Sequence, residues 1–247
     1  MNRRNFINKS SLGLVTLPFF NSDLFKRIKL TDTLFFKLSL AQFSLFRPIL
    51  NGEIDVYDFA KVSREEGFEG LEYMTTLYKP GGWGQKKSTF GLKEAKDFAN
   101  KSNKKADEFG QENVLLMIDG EGDLSRPGKK ESTESIENHY KWIDAAAEMN
   151  CHSVRVNLYG STDKDEWKKS SIENLSKLCE YAKDYNINVI VENHNNLSSD
   201  ADLLVEVIKG VDHENFGTLP DFGGWCLEFD TEIRNTFAKL CMIGMMV

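Results

Sequence analysis

Residues 187–196 read INVIVENHNN, and the order of these ten residues decides the fold. Ile187, Val189, Ile190 and Val191 suit a strand buried on both faces, as strands of parallel sheets are. Glu192, Asn193 and His194 follow at once, and all three are costly to bury unpaired. A strand of this kind either caps itself in solvent or opens onto a site.

The same form recurs on both sides of that stretch. Residues 35–43 (FFKLSLAQF), 68–74 (FEGLEYM), 113–123 (NVLLMIDGEGD), 152–160 (HSVRVNLYG) and 216–225 (FGTLPDFGGW) are apolar runs that end in polar or turn residues. Between them lie amphipathic stretches that read as helices: Val56 to Glu66, about Leu92 to Phe109 with Gly110 as the stop, Ser132 or Thr133 to Met149, Ile172 to Tyr185, and Asp200 to Ile208. Strand alternating with helix at a spacing of about 30 to 45 residues is the mark of repeated βα units and a parallel sheet.

The polar residues choose between the two architectures that such units build. Gln42, Glu72, Asp119 with Glu121, Asn157, Glu192 with His194, and Asp221 stand at the carboxyl ends of successive strands. A ring of polar strand ends is how a (β/α)₈ barrel makes its active face, whereas a doubly wound sheet gathers ligand contacts at one switch point. No G-x-G-x-x-G follows the first strand. The expected fold is therefore an α/β TIM-barrel type with about six βα units present, occupying residues 34–247.

Composition narrows the partners. The chain has 247 residues, 40% hydrophobic and 28% charged, and a formal net charge of −7, which argues against broad binding of nucleic acid, since that rests on clustered Lys and Arg. Cys151, Cys179, Cys226 and Cys241 lie far apart with no C-x-x-C pair and read as buried free thiols. The start differs from the rest: Arg3, Arg4 and Phe6 precede an apolar run from Leu12 to Phe20 that is too short for a stable membrane span. Its Arg-Arg-x-Phe order resembles a twin-arginine export signal, so residues 1–33 are expected to be signal and spacer and the protein exported, to the periplasm. If the segment is instead a helix packed on the domain, the protein is cytoplasmic.

The strand ends also carry the candidate chemistry. Glu192 and Asp221 would leave neighbouring strands toward one face, and two adjacent carboxylates repel unless a proton or cation lies between them. An oxygen-rich pair with an imidazole nearby suits Mg²⁺, Mn²⁺ or a similar divalent ion. His194 could be a metal ligand, a substrate donor or a loop residue. Period-two alternation puts Arg155 and Asn157 on one face of their strand, where they could bond sugar hydroxyls, or where Arg155 could pair with a carboxylate such as Asp119. Glu72 and, in the loop KPGGWGQ, Trp83 complete the candidates for binding substrate; an aromatic face beside hydrogen-bonding groups suits carbohydrate. His139, His152 and His213 read as structural.

The runs LSLAQFSL, GFEGLEYM, LLMIDGEGDL, HYKWIDAAAEMNCHSVRVN, INVIVENHNNLSSDADLL and GTLPDFGGW together resemble the sugar phosphate isomerase/epimerase group of the xylose isomerase-like TIM barrels, in matching order from about Lys37 to Trp225. That resemblance implies a divalent ion held by a Glu ending strand five, an Asp ending strand six, a His or its equivalent on strand seven and a Glu on strand eight. The first two correspond to Glu192 and Asp221; the other two have no counterpart, so strands seven and eight are expected to be lacking and the metal weakly held. It further implies a keto sugar from which Glu192 removes the proton next to the carbonyl, giving an enediolate. A non-catalytic, sugar-binding barrel fragment is the alternative. A phosphodiester hydrolase related to endonucleases of abasic sites is a third reading, with four His and a net charge of −7 against it. The expected partner is a small sugar, and a homo-oligomer is compatible with the sequence.

Overall fold

A computed structural model describes residues 37–79, 90–194 and 196–221. Its six strands are β1 (Ser39–Ala41), β2 (Gly70–Met74), β3 (Glu112–Met117), β4 (Ser153–Val156), β5 (Asn188–Glu192) and β6 (Phe216–Leu219). All adjacent pairs are parallel and the spatial order is the chain order. Six helices accompany them among the described residues: α1 (Phe46–Leu50), α2 (Phe59–Glu65), α3 (Leu92–Phe109), α4 (Lys129–Glu148), α5 (Lys164–Lys183) and α6 (Ala201–Val211). Sequential parallel strands with helices in every connection between them make this a (β/α)₈-type barrel, of which six strands and the helices linking them are described. The described sheet ends at β1 on one side and at β6 on the other.

Alternation along each strand sorts the apolar residues into two cores. Leu71, Tyr73, Leu116, Val154, Val156, Val189 and Val191 pack outward under the helices, with Phe98, Trp142 and Leu175. Met74, Leu115, Met117 and Ile190 form a second, smaller cluster on the opposite face. Arg155 aligns with Met117 and Ile190 in the registers of β3–β4 and β4–β5, so its guanidinium rises from this inner layer.

Helix α3 spans the expected residues and stops where Gly110 turns left-handed, at φ 62°. Helices α4 and α5 begin earlier than expected. Gly128, at φ 112°, releases the chain into α4 at Lys129, while Ser132 and Thr133, the expected caps, bond instead to Asn174 and to the Lys129 carbonyl. Asp163 caps α5 by accepting from the N–H groups of Asp165 and Glu166, and Asp200 caps α6 from Leu203. Both helix starts were obscured by polar first turns that face solvent and show no apolar period. The stretch Val56–Glu66 divides into a 3₁₀ turn, Val56–Asp58, and α2. Cys151 and Cys179 are buried free thiols. The expected signal, Trp83, Cys226, Cys241 and the residues from 222 onward lie outside the described residues. No helix among the described residues is long and apolar enough to cross a membrane.

Candidate functional site

The carboxyl ends of β3, β4 and β5 bring four of the expected residues, Arg155, Asn157, Glu192 and His194, into a single cluster with Asp119. Arg155, on β4, is 4% exposed. Its Nη1 donates to Asp119 Oδ1 at 2.7 Å and its Nη2 reaches Asp119 Oδ2 at 3.4 Å. On the other side its Nε lies 2.9 Å from Glu192 Oε2, an ion pair without the alignment of a hydrogen bond. Asn157 continues the same face of β4, and its Nδ2 donates to Asp119 Oδ1 at 2.8 Å. That bond turns Asn157 Oδ1 toward His194, whose Nδ1 stands 3.3 Å away. The same Nδ1 lies 2.8 Å from Tyr159 Oη and 3.8 Å from Glu192 Oε2.

The two oxygens of Glu192 therefore differ. Oε2 faces Arg155 and His194, and Oε1 has no hydrogen bond or ion pair among the described residues. Burial pushes the Glu192 carboxyl above its ordinary range, with the charges of Asp221 and Asp119 adding to it and Arg155 and His194 opposing it. Arg155 stays a firm cation in spite of its burial, because Asp119 and Glu192 flank it. Burial also pushes the Tyr159 phenol up to about 12, so it remains a neutral hydroxyl at physiological pH.

Asp221 is fixed beside Glu192 by a side chain whose role the sequence did not reveal. Asn193 is 1% exposed; its Nδ2 donates to the Asp221 carbonyl at 3.0 Å, and its Oδ1 accepts the Asp221 N–H at 2.6 Å. This pair of hydrogen bonds to the backbone of one residue carries the β5–β6 ladder past its last register pair, Glu192 with Leu219. It also accounts for an amide at the end of a buried strand, since every polar atom of the side chain's head finds a partner there.

The other candidates separate from this cluster. Glu72 takes a hydrogen bond from Ser39 Oγ across β1–β2, and no bond among the described residues links it to Glu192. Gln42 spends its amide on the Met74 N–H, Tyr78 Oη and the Val56 carbonyl. His139 bonds the Ser135 carbonyl, His152 the Ser153 hydroxyl, and His213 lies near Glu180. Asp119, read from sequence only as a strand-end carboxylate and a partner for Arg155, is the residue on which the cluster converges; its position two residues after β3 was the available signal.

Among the described residues no group of three or more His, Cys, Asp or Glu is placed to hold a metal. The donors that are present, two carboxylates with an open oxygen on Glu192 and no thiolate, fit part of the shell of a hard divalent cation.

A family model described as xylose isomerase-like TIM barrel matches residues 53–245, and the chain belongs to that family. In fold it is similar to the 3-keto-D-glucoside 4-epimerase of E. coli, with 14% identity over 75% of this chain and 71% of the other and a TM-score of 0.59. A D-psicose 3-epimerase solved in the presence of D-fructose has 14% identity over 74% of this chain and 64% of its own, with a TM-score of 0.58. The IOLI protein with a binding zinc atom has 16% identity over 80% and 67%, also with a TM-score of 0.58. Identities this low establish likeness of fold. No curated protein matches the chain by sequence at a significant level.

Proposed function

We propose that the chain is a keto-sugar isomerase or epimerase that works by removing a proton next to a carbonyl, with Glu192 as base and Glu192 and Asp221 as ligands of a divalent cation such as Mn²⁺ or Mg²⁺. The observation that carries this reading is the asymmetry of Glu192: Oε2 is held by Arg155, Oε1 has no hydrogen bond or ion pair among the described residues, and Asp221 is held next to it by Asn193. The two epimerases of like fold act on sugars of the kind proposed, and a relative of like fold binds zinc.

Each residue has a task that follows from its surroundings. Glu192 Oε1 takes the proton, and a carboxyl held above its ordinary range is a base better matched to neutral pH. Arg155 keeps the carboxylate from turning away. Asn157 and His194, at the mouth of the same face, offer hydrogen bonds to the sugar's hydroxyls. A bound divalent cation would supply Lewis acidity that offsets the negative charge developing on the sugar's oxygens.

The test is an epimerisation assay on free ketoses with Mn²⁺ added. Glu192→Gln and Asp221→Asn are each expected to lower the rate by about 100-fold or more. Unchanged rates in both would overturn the assignment. Sugar affinity by calorimetry that ignores a chelator, without turnover, would instead support the non-catalytic alternative.

A further inference from the structure

Asp119 has no place in the scheme above, yet more of the cluster hangs on it than on any other described side chain. Its own backbone is immobilised first. The Asp119 N–H donates to Thr75 Oγ1 at 3.0 Å, and its carbonyl accepts from buried Lys79 Nζ at 2.5 Å. From that fixed base the carboxylate makes two connections. One holds the fork of Arg155, and so sets where Nε meets Glu192 Oε2. The other binds the Nδ2 of Asn157.

The second connection has a chemical consequence at His194. A carboxylate oxygen only accepts, so the group that Asn157 gives to Asp119 must be its NH₂, and the group left facing His194 is its carbonyl oxygen. Nδ1 of His194 then looks onto two oxygens that only accept, Asn157 Oδ1 and the ionised Glu192 Oε2, and onto Tyr159 Oη, which does either. A hydrogen on Nδ1 meets an acceptor whichever of the three it turns to, whereas a lone pair there can accept only from Tyr159 and would face the two other oxygens. This geometry favours a neutral ring with its hydrogen on Nδ1 and with Nε2 as the accepting nitrogen.

We propose that Asp119 is the positioning residue of this site: through Arg155 it fixes which oxygen of Glu192 stays open, and through Asn157 it fixes which nitrogen of His194 is protonated. The proposal takes the roles of Glu192 and His194 from the function proposed above, but its structural half can be read without any turnover.

Nitrogen-15 NMR of histidine-labelled full-length protein, with the His194 signals assigned by their loss in His194→Gln, reports the tautomer directly. The wild type is expected to show Nδ1–H with an unprotonated Nε2. Asp119→Ala, and separately Asn157→Leu, are expected to shift His194 toward Nε2–H. Asn157→Leu leaves no buried charge unpaired and decides the matter if Asp119→Ala does not fold. A wild-type His194 already protonated at Nε2, or a tautomer unmoved in the folded variants, would overturn the proposal. In the ketose assay Asp119→Ala is expected to lose about 10- to 100-fold in kcat with KM changed by less than about threefold, as loss of an orienting partner does. A wild type without ketose turnover would sink the proposed function and leave the NMR result to stand or fall alone.

Discussion

Glu121, buried, and Glu192, half-buried, both stand at the carboxyl end of the sheet, and their surroundings could hardly differ more. Glu121 has every oxygen occupied: Lys79 Nζ at 2.5 Å and Trp142 Nε1 at 2.8 Å on Oε1, Lys141 Nζ at 2.9 Å on Oε2. Burial alone would push its carboxyl up, but Lys79, Lys141 and Trp142 more than reverse this and hold it below the ordinary range. Around Glu192 the balance is inverted, with Asp119 and Asp221 as neighbouring acids and Arg155 as the buried cation between Asp119 and Glu192. A carboxylate that is saturated with donors holds a structure together. One left with an open oxygen among like charges is poised to act on something else.

The largest effect that could break this contrast is on stability. Glu121→Leu strands Lys79, 7% exposed, without its anion, and breaking a buried pair from one side costs about 3–5 kcal/mol. Urea unfolding should show a loss of that order, and a loss under about 1 kcal/mol would mean that the cluster is not the fastening described. Glu192→Gln should behave in the opposite way. A drop of about 100-fold in epimerisation, about 2.7 kcal/mol in barrier, is expected with an unfolding midpoint equal to or above that of the wild type.

The pH dependence of stability should separate the two glutamates next. Glu121 has its folded pKa lowered from 4.5, so the unfolded chain takes up its proton first on acidification. Its contribution is present above about 4.5 and is lost as pH falls through the folded value. Glu192 is raised from 4.5, so the folded chain binds the proton more tightly than the unfolded one. Stability is then favoured below about 4.5 and declines as pH rises through the raised folded value. Denaturation curves between acid and neutral pH should become less acid-sensitive in Glu121→Gln and more acid-sensitive in Glu192→Gln relative to the wild type. The same direction of change in both variants would erase the distinction.

Strands and helices were legible in the sequence to different degrees, for physical reasons. Buried strands announce themselves through unbroken apolar runs, and β5 lies within the ten residues that opened the reading. Alternation likewise put Arg155 and Asn157 on one face, where both meet Asp119. The starts of α4 and α5 were hidden because first turns such as Lys164-Asp165-Glu166 project into solvent and carry no period. Site contacts between residues 36 to 38 positions apart, such as Asp119 with Arg155 and Asn157, have no local signal at all. They follow only once parallel strands stand side by side, which is also why the bond of Glu72 to Ser39 across β1–β2 had no signal in the sequence.

Asn193 offers the smallest test and the finest, because its amide closes on both backbone groups of one residue at the next strand end. Asn193→Ala removes both bonds to Asp221 and leaves a buried N–H and carbonyl to find water, at a cost of about 1–2 kcal/mol in unfolding. The carboxylate of Asp221 would keep its chemistry and lose its address. If Glu192 and Asp221 act together on a cation, Mn²⁺ affinity measured by calorimetry should fall in Asn193→Ala by about 10-fold, although no ligand atom has been touched. Unchanged affinity at reduced stability would show that the clamp serves the ladder between β5 and β6 alone, and would place Asn193 with Glu121 among the fastenings rather than with Glu192.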